Sequence, residues 1–153
     1  LQTSPDIVIA PASGGGLVAG IATAVKAKFP QVSLMSAEPE GFDDHARSLR
    51  AGHREAHDAK SHTICDALMA LIPGEITFAI SGKLLSQGVV ASDAEVGVAV
   101  AWAFRELKLV CEPGGAVALA ALLAGRIEAR GKTVVIVLSG GNVDVDLYAK
   151  LIG

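Results

Sequence analysis

Ile7-Val-Ile-Ala10, then Ser13-Gly-Gly-Gly16, then the Ala- and Val-rich run from Leu17 to Phe29 decide how this chain folds. The first run, bounded by Pro5 and Pro11, reads as a short buried strand. The last reads as a helix, with Lys26 and Lys28 near its end where the helix dipole favours cations, and Pro30 stopping it. Outward from this strand–turn–helix unit the same alternation continues. Val32 to Ala37 is an expected strand, broken by Glu38-Pro-Glu-Gly41, and Asp43 to Ala51 a short polar helix closed by Gly52. His53 to His62 reads as a surface loop and Ile64 to Leu71 as a helix ending near Pro73-Gly74. Gly88-Val-Val-Ala91 fits a strand. Ser92-Asp-Ala-Glu95 is a capping box that opens a helix to about Leu107. Glu112-Pro-Gly-Gly115 opens another through Leu123, stopped by Gly125. Thr133 to Leu138 is an expected strand and Val145 to Leu151 a final helix. Strands alternating with helices, and strands that are nearly all apolar, predict an α/β domain whose parallel sheet is layered by helices on both faces.

The 153 residues amount to about one domain; 51% are hydrophobic and 19% charged, enough to bury a core and too apolar for intrinsic disorder. A net charge of −3, with four Phe, one Tyr and one Trp, argues against nucleic acid as a partner. No run reads as a membrane span. The two cysteines, Cys65 and Cys111, fit neither a disulfide framework nor a metal motif, and a reduced cytoplasmic location is the simpler reading. Leu1-Gln-Thr-Ser-Pro-Asp6 has no initiator Met and no signal pattern, and reads as the middle of a longer protein.

Chemistry is expected where strands end and helices begin, and two glycine turns stand there. At Ser13-Gly14-Gly15-Gly16 successive glycines let backbone N–H groups approach an anion, and the following helix N-terminus adds free donors and its dipole. A phosphate is the fitting guest. The alternative is a merely tight turn, but three consecutive glycines cost more chain entropy than such a turn requires. No Gly-Lys-Ser/Thr ending makes this a Walker A loop, and Gly16 to Gly20 is one residue too long for Gly-x-Gly-x-x-Gly. The second turn is Ser139-Gly140-Gly141-Asn142. Its hydroxyl either reaches a ligand in the same crevice or caps the last helix.

Five stretches carry a resemblance: Pro11-Ala-Ser-Gly-Gly-Gly-Leu-Val-Ala-Gly-Ile-Ala22, Glu38-Pro-Glu-Gly41, Thr63-Ile-Cys-Asp-Ala67, Lys108-Leu-Val-Cys-Glu-Pro-Gly-Gly-Ala116 and Val137-Leu-Ser-Gly-Gly-Asn-Val143. Together and in this order they resemble the fold-type II pyridoxal-phosphate enzymes, in particular the serine/threonine dehydratase and serine racemase family. The resemblance implies the tryptophan synthase β-like fold and pyridoxal 5'-phosphate as cofactor. It implies Ser13, Gly14, Gly15, Gly16 and Leu17 around the phosphate, and Ser139 facing the pyridine nitrogen. It also implies that the chain is the C-terminal part of a protein about twice as long, whose N-terminal half carries the Schiff-base lysine in a Ser-x-Lys context. None of the lysines here matches that lysine, so this chain alone holds no catalytic residue of that kind and is expected to be inactive. The whole protein is expected to be a homodimeric lyase. It would act by β-elimination on serine- or threonine-type hydroxy amino acids, giving a 2-oxo acid and ammonia. A racemase of the same family, and a non-catalytic domain binding a phosphorylated ligand, are the alternatives.

The resemblance further implies a divalent-cation site, Mg²⁺ or Ca²⁺, at Glu38, the carbonyl of Phe42, and Asp44. The rival reading has Glu38 ending a strand and Asp44 starting a helix. Lys108 and Asn142 match a nucleotide contact of eukaryotic racemases, but ending a helix and shaping a turn accounts for them. Ala67 stands where the family usually has glycine beside the ring. His45, His53, His57 and His62 read as a solvated group rather than ligands, although His53 and His57 are spaced i, i+4. Met35, Met69, Cys65 and Cys111 are expected in the core.

Overall fold

The structure, a computed structural model, describes residues 4–57 and 60–153. Residues 58 and 59 of the expected His53–His62 loop, and the start of the N-terminal segment, lie outside the described residues. Four strands form one parallel sheet: β1 (Ile7–Pro11), β2 (Ser33–Pro39), β3 (Gln87–Ala91) and β4 (Val134–Ile136), in the order β3-β2-β1-β4. The helices are α1 (Gly16–Lys28), α2 (Asp44–Ala51), α3 (Glu75–Leu84), α4 (Asp93–Trp102), α5 (Pro113–Leu123) and α6 (Val145–Ile152). The expected α/β layering is therefore present.

Alternation along β1 divides the core. Ile7 and Ile9 face α4 and α5 in a cluster with Met35, Ala37, Val96, Val100 and Val117. Val8 packs on the other face with Ala22, Leu34 and Val25 of α1. Helix α5 is buried almost from end to end because Gly114, Gly115 and a run of alanines present no bulk to the sheet. The capping box forms as read: Ser92 Oγ accepts from Glu95 N–H, and the Glu95 carboxylate accepts from Ser92 N–H at 2.8 Å.

Four local expectations need correction. The helix expected over Ile64 to Leu71 is only a 3₁₀ turn, Asp66–Leu68. Asp93 takes the Thr63 hydroxyl at 2.6 Å and the Ile64 N–H at 3.0 Å, and Ala70 N–H goes to Ser13 Oγ, so the donors that a helix would use are spent elsewhere. The helix after Ser92 is α-helical only to Trp102; a π-helical turn, Ala103–Leu107, follows, and Lys108 ends it with φ 59°. The last strand pairs only over Val134–Ile136, although Val137 N–H still reaches Ile9 O. Met69 is exposed rather than core, while Met35, Cys65 and Cys111 are buried as expected. Both cysteines are free thiols, and burial pushes them up to about 12 and about 11.

Candidate active site

The chain leaves β1 to build β2 on one side, and β4 later docks on the other. The carboxyl ends of β1 and β4 thus flank a topological switch point, where open α/β sheets form their ligand crevices. A crevice of about 250 Å³ lies there, lined by Ser13, Gly15, Gly16 and Leu17 from the first turn and Ser139 from the second, with Ala67, Leu68, Glu112 and Gly114 closing it. The structure therefore brings the two glycine turns together, 123 to 126 residues apart in sequence (139 − 16 and 139 − 13). Gly14 stands apart from this lining: its carbonyl turns toward α3, accepting from Gly74 N–H at 3.0 Å and the Thr77 hydroxyl at 2.5 Å.

The α1 N-terminus fits an anion. Its N-cap, Gly15, has φ 87° and offers no side-chain cap, and the first turn holds no acidic residue, so no side chain there competes for the free N–H groups. A Cβ at Gly16 would meet no atom within 4 Å, so the space over the helix start is open. Ser13 Oγ accepts from Ala70 N–H and keeps its own proton for a guest. None of the described residues that line the crevice is a lysine.

Ser139 does not cap α6. Asp144 does, accepting from Leu147 N–H at 2.9 Å, which leaves the Ser139 hydroxyl to the crevice. The turn that carries Ser139 is gripped by Glu112, the N-cap residue of α5. Glu112 N–H donates to Gly140 O, and its carboxylate accepts from Asn142 N–H, both at 3.0 Å. A Cβ on Gly140 would lie 2.5 Å from that carboxylate and displace it from the turn, and one on Gly115 would lie 2.8 Å from Gly140 N, so at Gly115 close backbone approach requires glycine. Lys108 Nζ donates to Arg105 O, in keeping with its role as a helix end.

The second acidic group lies at the carboxyl end of β2. Glu38 is fully buried and caps α2: its two oxygens accept the N–H groups of His45 (2.8 Å) and Ala46 (2.6 Å). Burial pushes its carboxyl well above the usual range, against the pull of those two donors. Asp44 is also buried, and both its oxygens lack a hydrogen-bond partner. Burial pushes it up to about 6. Phe42, which lies between these acids in sequence, is buried and stacks on His57, with ring centroids 4.2 Å apart. Among the described residues no three His, Cys, Asp or Glu side chains converge as metal ligands, so a cation here would rely on two carboxylates, a carbonyl and water.

The histidines do not form one solvated group. His53 pairs with Glu55 at the surface, and α2 has ended before it, so His53 and His57 share no helix face. His45 is buried instead: Nδ1 is 3.2 Å from Ser36 Oγ and Nε2 3.0 Å from Ser81 Oγ, and burial pushes it down to about 4. Sequence reasoning missed His45, Thr77 and the grip of Glu112, because each acts through a partner remote in sequence. The one local signal was Glu112-Pro-Gly-Gly115, which marked a helix start.

The family model for pyridoxal-phosphate dependent enzymes matches residues 1–140. An L-threonine ammonia-lyase of Thermotoga maritima is 33% identical over 99% of this chain and 38% of its own length. A serine racemase of Oryza sativa subsp. japonica is 36% identical over 92% of the chain and 42% of its own length. The crystal structure of a threonine deaminase from T.th. superposes with a TM-score of 0.87 at 40% identity, covering 94% of this chain and 51% of that one. The chain therefore spans roughly two-fifths to one-half of the length of these relatives.

Proposed function

From the premise that this chain belongs to the family of pyridoxal-phosphate dependent enzymes, and has their fold-type II architecture, we propose that it is the C-terminal part of a lyase. The whole protein would eliminate water from a serine- or threonine-type hydroxy amino acid, and water taken up again to hydrolyse the resulting imine would give a 2-oxo acid and ammonia. The observation that carries this reading is the meeting of an uncapped helix N-terminus and the free Ser139 hydroxyl in one crevice. Bound there, pyridoxal 5'-phosphate supplies an electron sink for charge developing at the substrate α-carbon. The Gly15, Gly16 and Leu17 backbone N–H groups and the Ser13 hydroxyl hold the phosphate by hydrogen bonds and the helix dipole. Ser139 is the partner of the ring nitrogen. Being neutral, it does not keep a proton on that nitrogen as a carboxylate would, and this restrained electron demand suits elimination more than transamination. Glu112 holds the Ser139 turn in register, and Ala67 lines the same crevice.

We extend the proposal to a Mg²⁺ or Ca²⁺ held by Glu38, the Phe42 carbonyl and Asp44, because two buried oxygens without partners on Asp44 suit a hard cation. The proposal also takes in a cytoplasmic homodimer. Two free thiols agree with a reducing compartment, and no helix among the described residues is long and apolar enough to cross a membrane. Light scattering on the whole protein tests the dimer.

Similarity to serine racemases at comparable identity makes racemisation the second reading. One experiment separates these readings. The whole protein, loaded with pyridoxal phosphate, is given serine, threonine and 3-hydroxyaspartate, and both 2-oxo acid release and chirality of the remaining amino acid are measured. Release of 2-oxo acid faster than inversion supports the lyase. Inversion alone makes it a racemase, and neither reaction, with no visible absorption band from bound cofactor, reduces the chain to a phosphate-ligand domain.

A further inference from the structure

Gly15 stands between the crevice and helix α3, and the residue behind it is Thr77. The Thr77 hydroxyl lies 2.5 Å from Gly14 O and 3.1 Å from Gly74 O. Gly74 N–H donates to the same Gly14 carbonyl at 3.0 Å. That carbonyl is therefore pinned on the α3 side by two donors. No peptide bond among the described residues is cis. In a planar trans peptide the C=O and the N–H of the next residue point in opposite directions. Fixing Gly14 O toward α3 consequently turns Gly15 N–H away from α3, to the side on which Gly15 and Gly16 border the crevice. Thr77 also forms the wall beneath Gly15. A Cβ there would lie 3.0 Å from Thr77 Oγ1 and 3.2 Å from Thr77 Cβ, with His45 Nε2 next at 3.5 Å. The left-handed conformation of Gly15, φ 87°, is held between that wall and the start of α1.

We propose that Thr77 is a positioning residue, which by holding the Gly14 carbonyl aims the Gly15 N–H at the anionic group of the ligand. This rests on the reading of the crevice as a cradle for the cofactor phosphate. Thr77 is not itself among the described residues that line the crevice, and its hydroxyl acts through the Gly14–Gly15 peptide plane. The consequence is specific: loss of the hydroxyl weakens recognition of phosphate and leaves recognition of the pyridine ring alone. Because Gly74 N–H still holds the carbonyl, the loss is graded rather than complete.

The test compares pyridoxal phosphate with pyridoxal, which lacks the phosphate, on the whole protein. Thr77→Val keeps the bulk and removes the donor. It should raise the dissociation constant for pyridoxal phosphate about tenfold, the order expected for one lost orienting hydrogen bond, and leave that for pyridoxal within about twofold. Thr77→Ser, which restores a hydroxyl, should bring the preference for the phosphorylated form back. If the Val protein does not fold, Thr77→Ala, which adds no atom to the wall, takes its place. As a second readout, titration of the wild-type apoprotein with inorganic phosphate should shift the Gly15 amide resonance. Equal weakening of both ligands, an unchanged preference for the phosphorylated form, or a Gly15 amide that does not respond to phosphate overturns the role of Thr77. A wild-type protein that binds pyridoxal phosphate no better than pyridoxal overturns the phosphate cradle itself, a result distinct from the other three.

Discussion

At the scale of single residues, the site depends on what is missing as much as on what is present. Gly16 is the first residue of α1, has ordinary helical geometry and would offer a Cβ open space. An aspartate there suits a helix N-terminus, contributing about 0.3–1 kcal/mol through the dipole. Gly16→Asp should therefore leave the melting temperature of the apoprotein unchanged or slightly raised. Its carboxylate occupies the place of the anion, so affinity for pyridoxal phosphate should fall by more than about a hundredfold, on the order of 3 kcal/mol. Retained affinity by fluorescence titration would move the phosphate away from α1. Ser139→Ala removes a hydroxyl that does not cap the last helix, since Asp144 does. Folding and cofactor content should hold, while turnover falls about tenfold, or ~1.4 kcal/mol at the transition state. Wild-type turnover with an unaltered cofactor spectrum would end its assignment to the ring nitrogen. Both residues were legible in the sequence because a glycine run and a strand-end serine are local punctuation. Thr77 was not, since its contact with Gly14 spans 63 residues and nothing around Thr77 announces it.

At the scale of elements, the junction of β2 and α2 shows why a pattern read locally is incomplete. The break at Glu38-Pro-Glu-Gly41 and the helix to Ala51 were readable from turn residues and from Gly52, which ends α2 with φ 75°. That Glu38 folds back to cap α2 was not, because it joins groups seven and eight residues on across a turn. The helix misread over Ile64 to Leu71 failed for the same reason: its competitor, Asp93, comes from another element. Two predictions belong here. A Cβ on Gly88 of β3 would lie 2.5 Å from Ala46 Cβ and 2.6 Å from Ala46 Cα, so α2 sits directly against the strand backbone. Gly88→Ala must push α2 away and loosen the Glu38 cap. Overpacking of this kind costs about 1–3 kcal/mol, to be measured by urea denaturation; a change below about 0.5 kcal/mol would mean α2 is not seated there. The cation is tested at the same junction. After chelation, Mg²⁺ or Ca²⁺ should raise the melting temperature of the whole protein by a few degrees, about 1 kcal/mol of linkage. Asp44→Ala should abolish the rise. An equal rise in both proteins places the ion elsewhere, and no rise in either leaves Glu38 as a helix cap and Asp44 as a buried acid.

At the scale of the whole molecule, the crevice joins turns that follow β1 and β4 with the start of α1. It has an uncapped helix N-terminus, the Ser139 hydroxyl and a carboxylate that steadies the second turn, and none of the described residues that line it is a lysine. Lys26 and Lys108 direct their ammonium groups to backbone carbonyls at Pro30, Val32 and Arg105, away from the crevice. Among the described residues β4 is an edge strand paired with β1, and all three of its residues are only half-buried. Ile76 and Val145, each 79% exposed, are apolar residues without cover. Under the proposed function this chain supplies part of the site and further chain supplies the rest. The covalent anchor of the cofactor should then lie outside these 153 residues. Borohydride reduction fixes a cofactor bound to a lysine, and mass spectrometry locates it. With pyridoxal phosphate and borohydride, the whole protein should carry one stoichiometric adduct on a lysine outside this chain. The isolated chain should carry none in stoichiometric amount and should release no 2-oxo acid. It should still prefer pyridoxal phosphate over pyridoxal, because the proposed cradle, Ser13 to Leu17, lies wholly within this chain. A stoichiometric adduct on any of Lys26, Lys28, Lys60, Lys83, Lys108, Lys132 or Lys150 would put the anchor inside the chain and overturn the division of labour between the two halves.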